Sequence, residues 1–285
     1  MERKHRALLL ALPTVLTLLF FFVAPMVYIL VHTLHENGFS DFVDFFGDPF
    51  YRNILWVTLR VSLVSTAISL VLGYPTAFYM ARTKSRMKQV MMIVILFPFL
   101  VSAVVRSYGW MVILGTNGLL NQLLQKLGII ALYNHLTGSN LEYFTMIDTQ
   151  GAVVLGMVYN YLPFMILPIY SVICKLDYSL LEAARDLGAN TVTVFRKVIL
   201  PLSLPGVLSG ITMVFVPSVS TFAISRMLGG GTELLLGDLI ERQFLGGAYN
   251  PQLGAAISLV MMLIVVVCML VMNRFGEGEE QAVML

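Results

Sequence analysis

The chain has 285 residues, 58% of them hydrophobic and only 12% charged, with a mean hydropathy of +0.84. Soluble domains carry about a quarter charged residues, so this composition excludes an ordinary soluble globule and points to an integral membrane protein. A formal charge of +2, with 18 basic residues spread along the chain, leaves no basic patch that would suit nucleic acid.

In chain order, a basic tip, MERKHR, precedes an apolar run from Ala7 to Val31. At 25 residues the run exceeds a signal-peptide core and is long enough to cross a bilayer, so it reads as an uncleaved first span. The segment that follows, HTLHENGFSDFVDFFGDPFYRN, is acidic, with Glu36, Asp41, Asp44 and Asp48. It suits attraction of a cation or docking of a partner, or it is simply a solvated loop. Five more apolar runs lie at about 54–80, 90–114, 151–173, 206–228 and 254–273. Together these predict an all-α integral membrane protein of six transmembrane helices. Pro75, Pro98, Pro163, Pro168 and Pro217 interrupt several runs, a pattern tolerated where the freed carbonyls face protein or a wet cavity. Leu119 to Leu132 is too short and too polar to span and reads as an external helix. Residues 229–253, opening on three glycines, form another external connector. The tail GEGEEQAVML is polar and reads as loose.

Basic residues orient the spans. With both termini on one side, that side carries Arg3, Lys4, Arg6, Arg82, Lys84, Arg86, Lys88, Lys175, Arg185, Arg196, Lys197 and Arg274, 12 of the 18. The positive-inside rule places this side, and both termini, in the cytoplasm.

The same side holds residues 179–202, SLLEAARDLGANTVTVFRKVILPL. Ser179 suits an N-cap, with Glu182 three residues on to close a capping box. Gly188 suits a left-handed helix end. Asn190 or Thr191 can cap a second short helix, which Pro201 is expected to end. The product is a compact knob shaped for a groove on a soluble partner.

Chemistry-bearing motifs are few. The sequence contains no Gly-Lys pair and therefore no P-loop, so any ATP hydrolysis falls to a partner. His32 and His35 share helical spacing without a third ligand nearby, and suit an interfacial boundary rather than a metal site. Cys174 and Cys268, far apart in sequence, read as small packing residues. No nucleophile motif or paired intramembrane carboxylates occur, so neither enzyme activity nor a cofactor is expected. An intramembrane charge defaults to function, and Arg106 lies deep in its run, where it gates or braces a path. No Asp or Glu lies mid-span, so a cation crossing here would meet aromatic faces and carbonyls. Tyr108, Trp110, Tyr159, Asn160 and Tyr161 are the candidates, with Ser218, Ser220 and Thr221 beyond Pro217. Each alone is more often a helix-packing or interfacial-belt residue; together with the prolines they are a weak signal of a cavity.

Glu182-Ala183-Ala184, three residues, Gly188, nine residues, Val198, one residue, and Leu200-Pro201 resemble the cytoplasmic EAA loop of binding-protein-dependent ABC transporter permeases. Val198 stands where the family usually has Ile. Further stretches are similar to the spermidine/putrescine branch: LGYPTAFYMAR (72–82), RSYGWMVILGTNGLLN (106–121) and VYNYLPFMILPIYSVICKLDYSLLEAARDLGA (158–189), with a looser match at 213–231. The resemblance implies the type I ABC importer permease fold over 54–273, with the coupling loop at 179–202. Residues 1–53 add the tip, first span and external loop, and 274–285 the cytoplasmic tail. It implies that Glu182, Ala183, Ala184, Gly188, Val198, Leu200 and Pro201 couple to the ATPase; Glu182 pairs with a partner cation, or only caps its own helix. Expected partners are two cytoplasmic ATP-binding subunits, a second permease, an extracytoplasmic solute-binding protein, membrane lipid and a polyamine. The implied location is the bacterial inner membrane. A permease for another small solute, or a membrane scaffold or sensor, are the competing readings.

Overall fold

A computed structural model describes residues 12–36, 39–231, 234–246 and 249–283, and these are helices and connectors without a strand. The basic tip with Arg3, Lys4 and Arg6, and the start of the first run, lie outside the described residues. The helices are α1 (Ala24–Glu36), α2 (Ser40–Gly47), α3 (Pro49–Arg82), α4 (Ser85–Leu96), α5 (Ala103–Leu114), α6 (Leu119–Lys126), α7 (Ile129–Thr137) and α8 (Gln150–Cys174). They continue with α9 (Tyr178–Asp186), α10 (Thr191–Val194), α11 (Leu200–Ser220), α12 (Ala223–Leu228), α13 (Leu236–Leu245) and α14 (Pro251–Val283).

Among the described residues, five segments are long and apolar enough to cross a membrane: Leu12–Val31, Pro49–Arg82, Gln150–Cys174, Thr191–Ser220 and Pro251–Met272. A sixth is broken, with Arg86–Leu100 and Ala103–Lys126 meeting at 94°. The expected span at 90–114 is therefore bent in its middle. A 3-10 turn at Phe97–Leu100 carries Pro98, Val101 is extended, and Ser102, with ψ 139°, is also outside the helical region. Proline removes one amide, and the residues after it leave the helical register. The expected external helix at 119–132 is two pieces, α6 and α7, because Gly128 adopts φ 71° between them.

Three expectations need correction. The second helix of the knob does not end at Pro201, and the fifth span does not begin near 206. Thr191–Ser220 is one unbroken run of 30 residues. Over Phe195–Ile199 it widens to a π turn, with the Leu200 amide donating to the Phe195 carbonyl. Such a turn accommodates a residue that lacks an amide, and Pro201 follows at once in the first turn of α11. The tail is helical rather than loose, since α14 continues to Val283.

The described residues group into two compact units. One comprises those up to Asn53 with Leu239–Leu263; the other comprises Ile54–Asp238 and Ile264 onward. In the first, Asp48 caps α3 by accepting from the Phe50 amide at 2.8 Å, and Tyr51 stacks on Phe45 at 5.7 Å. Asp41, Asp44, Asp48, Tyr51 and Asn250 surround an open cavity of about 440 Å³.

In the second unit, α8 and α11 form the most extensive helix pair. Met165, Ile166 and Ile169 of α8 pack with Val207 and Val214 of α11 and with Tyr74, Ala77 and Met80 of α3. Gly206 and Gly210, four residues apart, let the two backbones meet. A Cβ at Gly206 would stand 3.0 Å from the Pro168 carbonyl oxygen, and one at Gly210 3.1 Å from that of Met165. Small residues at this spacing are what brings membrane helices together, since lipid offers no hydrophobic drive for association. Tyr74 and Ser203 hydroxyls share a buried hydrogen bond of 2.8 Å between α3 and α11.

Candidate functional site

The knob at 178–199 is built on a small core of its own. Leu181, Val194 and Ile199 are buried, with Ala184, Phe195 and Val198 packed against them. Phe195 meets Phe78 and Tyr74 of α3 edge-on at 5.7 and 5.8 Å, which ties the knob to the spans. Asn190 caps the second helix as expected, accepting from the Thr193 amide at 2.8 Å. Gly188 has φ +85°, the left-handed end expected of it, and the Ala189 amide closes back onto the Ala184 carbonyl at 3.1 Å.

The first cap differs from expectation. Asp177, not Ser179, is the N-cap of α9, accepting from the Ser179 amide at 2.9 Å. Helix therefore begins at Tyr178, and Glu182 lies a full turn inside, too far along to close a capping box. Glu182, Ala183, Gly188, Leu200 and Pro201 are exposed, while Ala184 and Val198 are half-buried. Leu180, Leu187 and Val192 are exposed beside them, Leu187 by 89%. An exposed apolar rim thus adjoins a carboxylate and a glycine corner.

The Ser179 amide, then its hydroxyl, hold the Asp177 carboxyl below the usual carboxylate range. A lowered pKa means that the charged cap is present above that range and is lost as the pH falls through and below it. Hydrogen exchange at the Ser179 amide, taken relative to its intrinsic rate, should therefore rise on acidification. In Asp177→Asn this acid-dependent excess should vanish; equal profiles in both proteins would refute the assignment.

The second constellation lies at the bend before α5. Arg106, in the first turn of α5, is half-buried, and its Nε and Nη1 are buried without a hydrogen bond. Its guanidinium stands 5.5 Å from the centre of the Phe99 ring. Phe99 meets Phe164 of α8 edge-on at 4.9 Å. Tyr161 donates to the Pro217 carbonyl at 3.4 Å and lies within electrostatic reach of Thr221 and Arg106. One turn on from Arg106, Trp110 meets Tyr159 edge-on at 5.4 Å.

The structure thus gathers Arg106, Tyr161 and Thr221 around the bend and the end of α11, and pairs Trp110 with Tyr159. Tyr108 is exposed. Ser218 is fully buried and bonds back to the Val214 carbonyl at 2.6 Å, and Ser220 bonds back to Val216 and Pro217. Asn160 is buried, donates to the Gly156 carbonyl at 2.8 Å, and leaves Oδ1 without a partner. Phe99 and Phe164 were not singled out from sequence, because a phenylalanine in an apolar run carries no signal of its own. Proximity to Pro98 and Pro163 is the signal that would have found them.

The family described as binding-protein-dependent transport system inner membrane component matches residues 69–278. The spermidine/putrescine transport system permease protein PotB of Haemophilus influenzae is 35% identical over 269 residues, 91% of this chain and 90% of the relative. Its counterpart in Escherichia coli K12 is 37% identical over 227 residues, covering 80% and 78%. Among solved structures, a chain of a bacterial ABC transporter importing the acidic polysaccharide alginate superposes with TM-score 0.76 at 18% identity, covering 97% of this chain and 96% of that one. A chain of the MetNI methionine ABC transporter gives 0.56 at 18% identity, covering 81% and 99%.

Proposed function

The chain belongs to the binding-protein-dependent transport system inner membrane components, and from that membership we propose that it forms half of the polyamine path of an ATP-driven importer. It is a transport subunit, not an enzyme, and two separate ATP-binding subunits supply the energy. A second permease completes the path, and an extracytoplasmic solute-binding protein delivers spermidine or putrescine. The near full-length likeness to a spermidine/putrescine permease carries this substrate class. The chain lies multi-pass in the inner membrane with both termini cytoplasmic, as its basic-residue asymmetry supports. The permease domain covers 54–273; residues 1–53 add a span and an external acidic segment that concentrates polycations, and 274–285 form a tail.

In this reading the knob docks the ATPase through Glu182, Ala183 and Gly188, with Ala184 and Val198 fixing its core and Leu200-Pro201 joining it to the span. Displacement there moves α11, whose far end stands by Tyr161 and Thr221. The aromatic faces about Phe99, Trp110 and Tyr159 receive ammonium groups, an attraction worth about 1 kcal/mol each when exposed and more when dry.

Radiolabelled spermidine uptake in cells lacking the chromosomal copy tests this. Restoring the chain should restore uptake, and unlabelled putrescine should compete while an amino acid or sugar does not. Competition by an unrelated solute alone would reject the polyamine and keep the importer. Unchanged uptake on deletion, with no ATPase captured by the purified chain, would favour a scaffold instead.

A further inference from the structure

Arg106 is held where three separate features oppose a cation. It lies in the first turn of α5, the positive end of that helix's dipole. Its Nε and Nη1 are sealed from solvent with no acceptor, a greater penalty for a charged donor than for a neutral one. No carboxylate stands in the middle of any span to neutralise it. What holds the guanidinium is the face of Phe99 at 5.5 Å, with that ring braced edge-on by Phe164. Tyr161, tied to the Pro217 carbonyl, lies within reach of the same charge. Arg106 therefore sits among parts of the 94° bend, α8 and the end of α11, resting on rings rather than in a salt bridge.

We propose that Arg106 is a charge plug: its guanidinium keeps small free cations out of the closed path and yields its aromatic seat to the ammonium groups of the substrate. The proposal rests on the polycation reading above. A fixed positive charge in low-dielectric surroundings repels every cation, whatever its identity. A polyamine overcomes this where a metal ion does not. It brings apolar methylene segments together with several ammonium groups, and these take the same ring faces that hold the guanidinium. With two donors unsatisfied in the seated position, Arg106 gains acceptors on leaving it, so a small motion at the bend suffices to release it. Arg106 is thus a specificity residue that acts on what the path refuses.

The test uses the complete transporter, permease pair with its ATPase, in liposomes without ATP, binding protein or polyamine, and reads potassium leak down a gradient. Removing the repelling charge in Arg106→Gln should raise the leak about tenfold, the lower end of what a focused charge does to local ion concentration. Arg106→Lys should stay at the wild-type level, since the charge remains. Arg106→Met, whose unbranched stem suits the apolar seat, should leak as Arg106→Gln does, and is read in its place if the Gln variant fails to assemble. Equal leak in wild type and in either neutral variant, in complexes that retain their ATPase, would overturn the plug and leave Arg106 a structural brace. A rise in Arg106→Lys equal to that of the neutral variants would also overturn it, because shape rather than charge would then close the path. The leak is read without substrate, so an error in the substrate class appears only in wild-type uptake competition, with the leak pattern unchanged.

Discussion

Gly188→Asp should abolish coupled uptake while the protein still inserts and folds. Gly188 has φ +85°, and nothing lies within 4 Å of the position its Cβ would take. The substitution therefore meets no neighbour, and the left-handed backbone costs a non-glycine residue about 1 kcal/mol, less for Asp than for most. Folding tolerates that. Docking, in the coupling role we propose for the knob, does not, because the new carboxylate joins a surface whose apolar members are Leu180, Leu187 and Val192. Burying a charge there without a partner costs about 3 kcal/mol, on the order of a hundredfold in affinity for the ATPase. Gly188→Ala separates the two effects, since it carries the backbone cost without the charge and should keep most of the uptake. Normal spermidine uptake by Gly188→Asp would remove the knob from the coupling scheme.

Gly210→Leu should have the opposite character, losing the fold before the function. A Cβ at this position stands 2.8 Å from Met165 Sδ and 3.1 Å from the Met165 carbonyl oxygen. The thioether can swing aside; the backbone oxygen cannot. The remaining leucine atoms then force α11 off α8 along the contact that carries the main core of the second unit. Overpacking of this kind costs about 3 kcal/mol, the upper part of the usual range. The purified variant should show a lowered unfolding midpoint in mild detergent and reduced recovery of folded chain, with Gly210→Ala between it and wild type. A Gly210→Leu protein as stable as wild type would mean that the close approach of α11 to α8 does not limit the fold.

The spans were legible because about 20 apolar residues in succession have few alternatives in water. Gly188 was legible too, as a glycine after a capped amphipathic turn has one common use. Boundaries were harder to read. Pro201 looked like a stop because sequence shows the missing amide but not the π turn at Phe195–Ile199 that absorbs it. Ser179 looked like the cap because it matched the box pattern, while Asp177, two residues earlier, reached the free amide first. Within the second site, Arg106 announced itself as a charge in an apolar run. Its seat did not, since Phe99 and Phe164 come from segments separated by a bend and some 60 residues of chain. No local pattern records that they meet.

The unbroken helical run Thr191–Ser220 has a mechanical consequence. Thirty residues rising about 1.5 Å each measure about 45 Å, enough to join the knob directly to the neighbourhood of the aromatic seat. A member of that length magnifies rotation: a tilt of about 10° about one end sweeps the other through about 8 Å, more than the diameter of an ammonium group and wider than any ring contact around Arg106. In the coupling scheme we propose, nucleotide-driven motion at the knob therefore need only be a modest rocking. Leverage, rather than a large excursion of the ATPase, then opens the passage in that scheme.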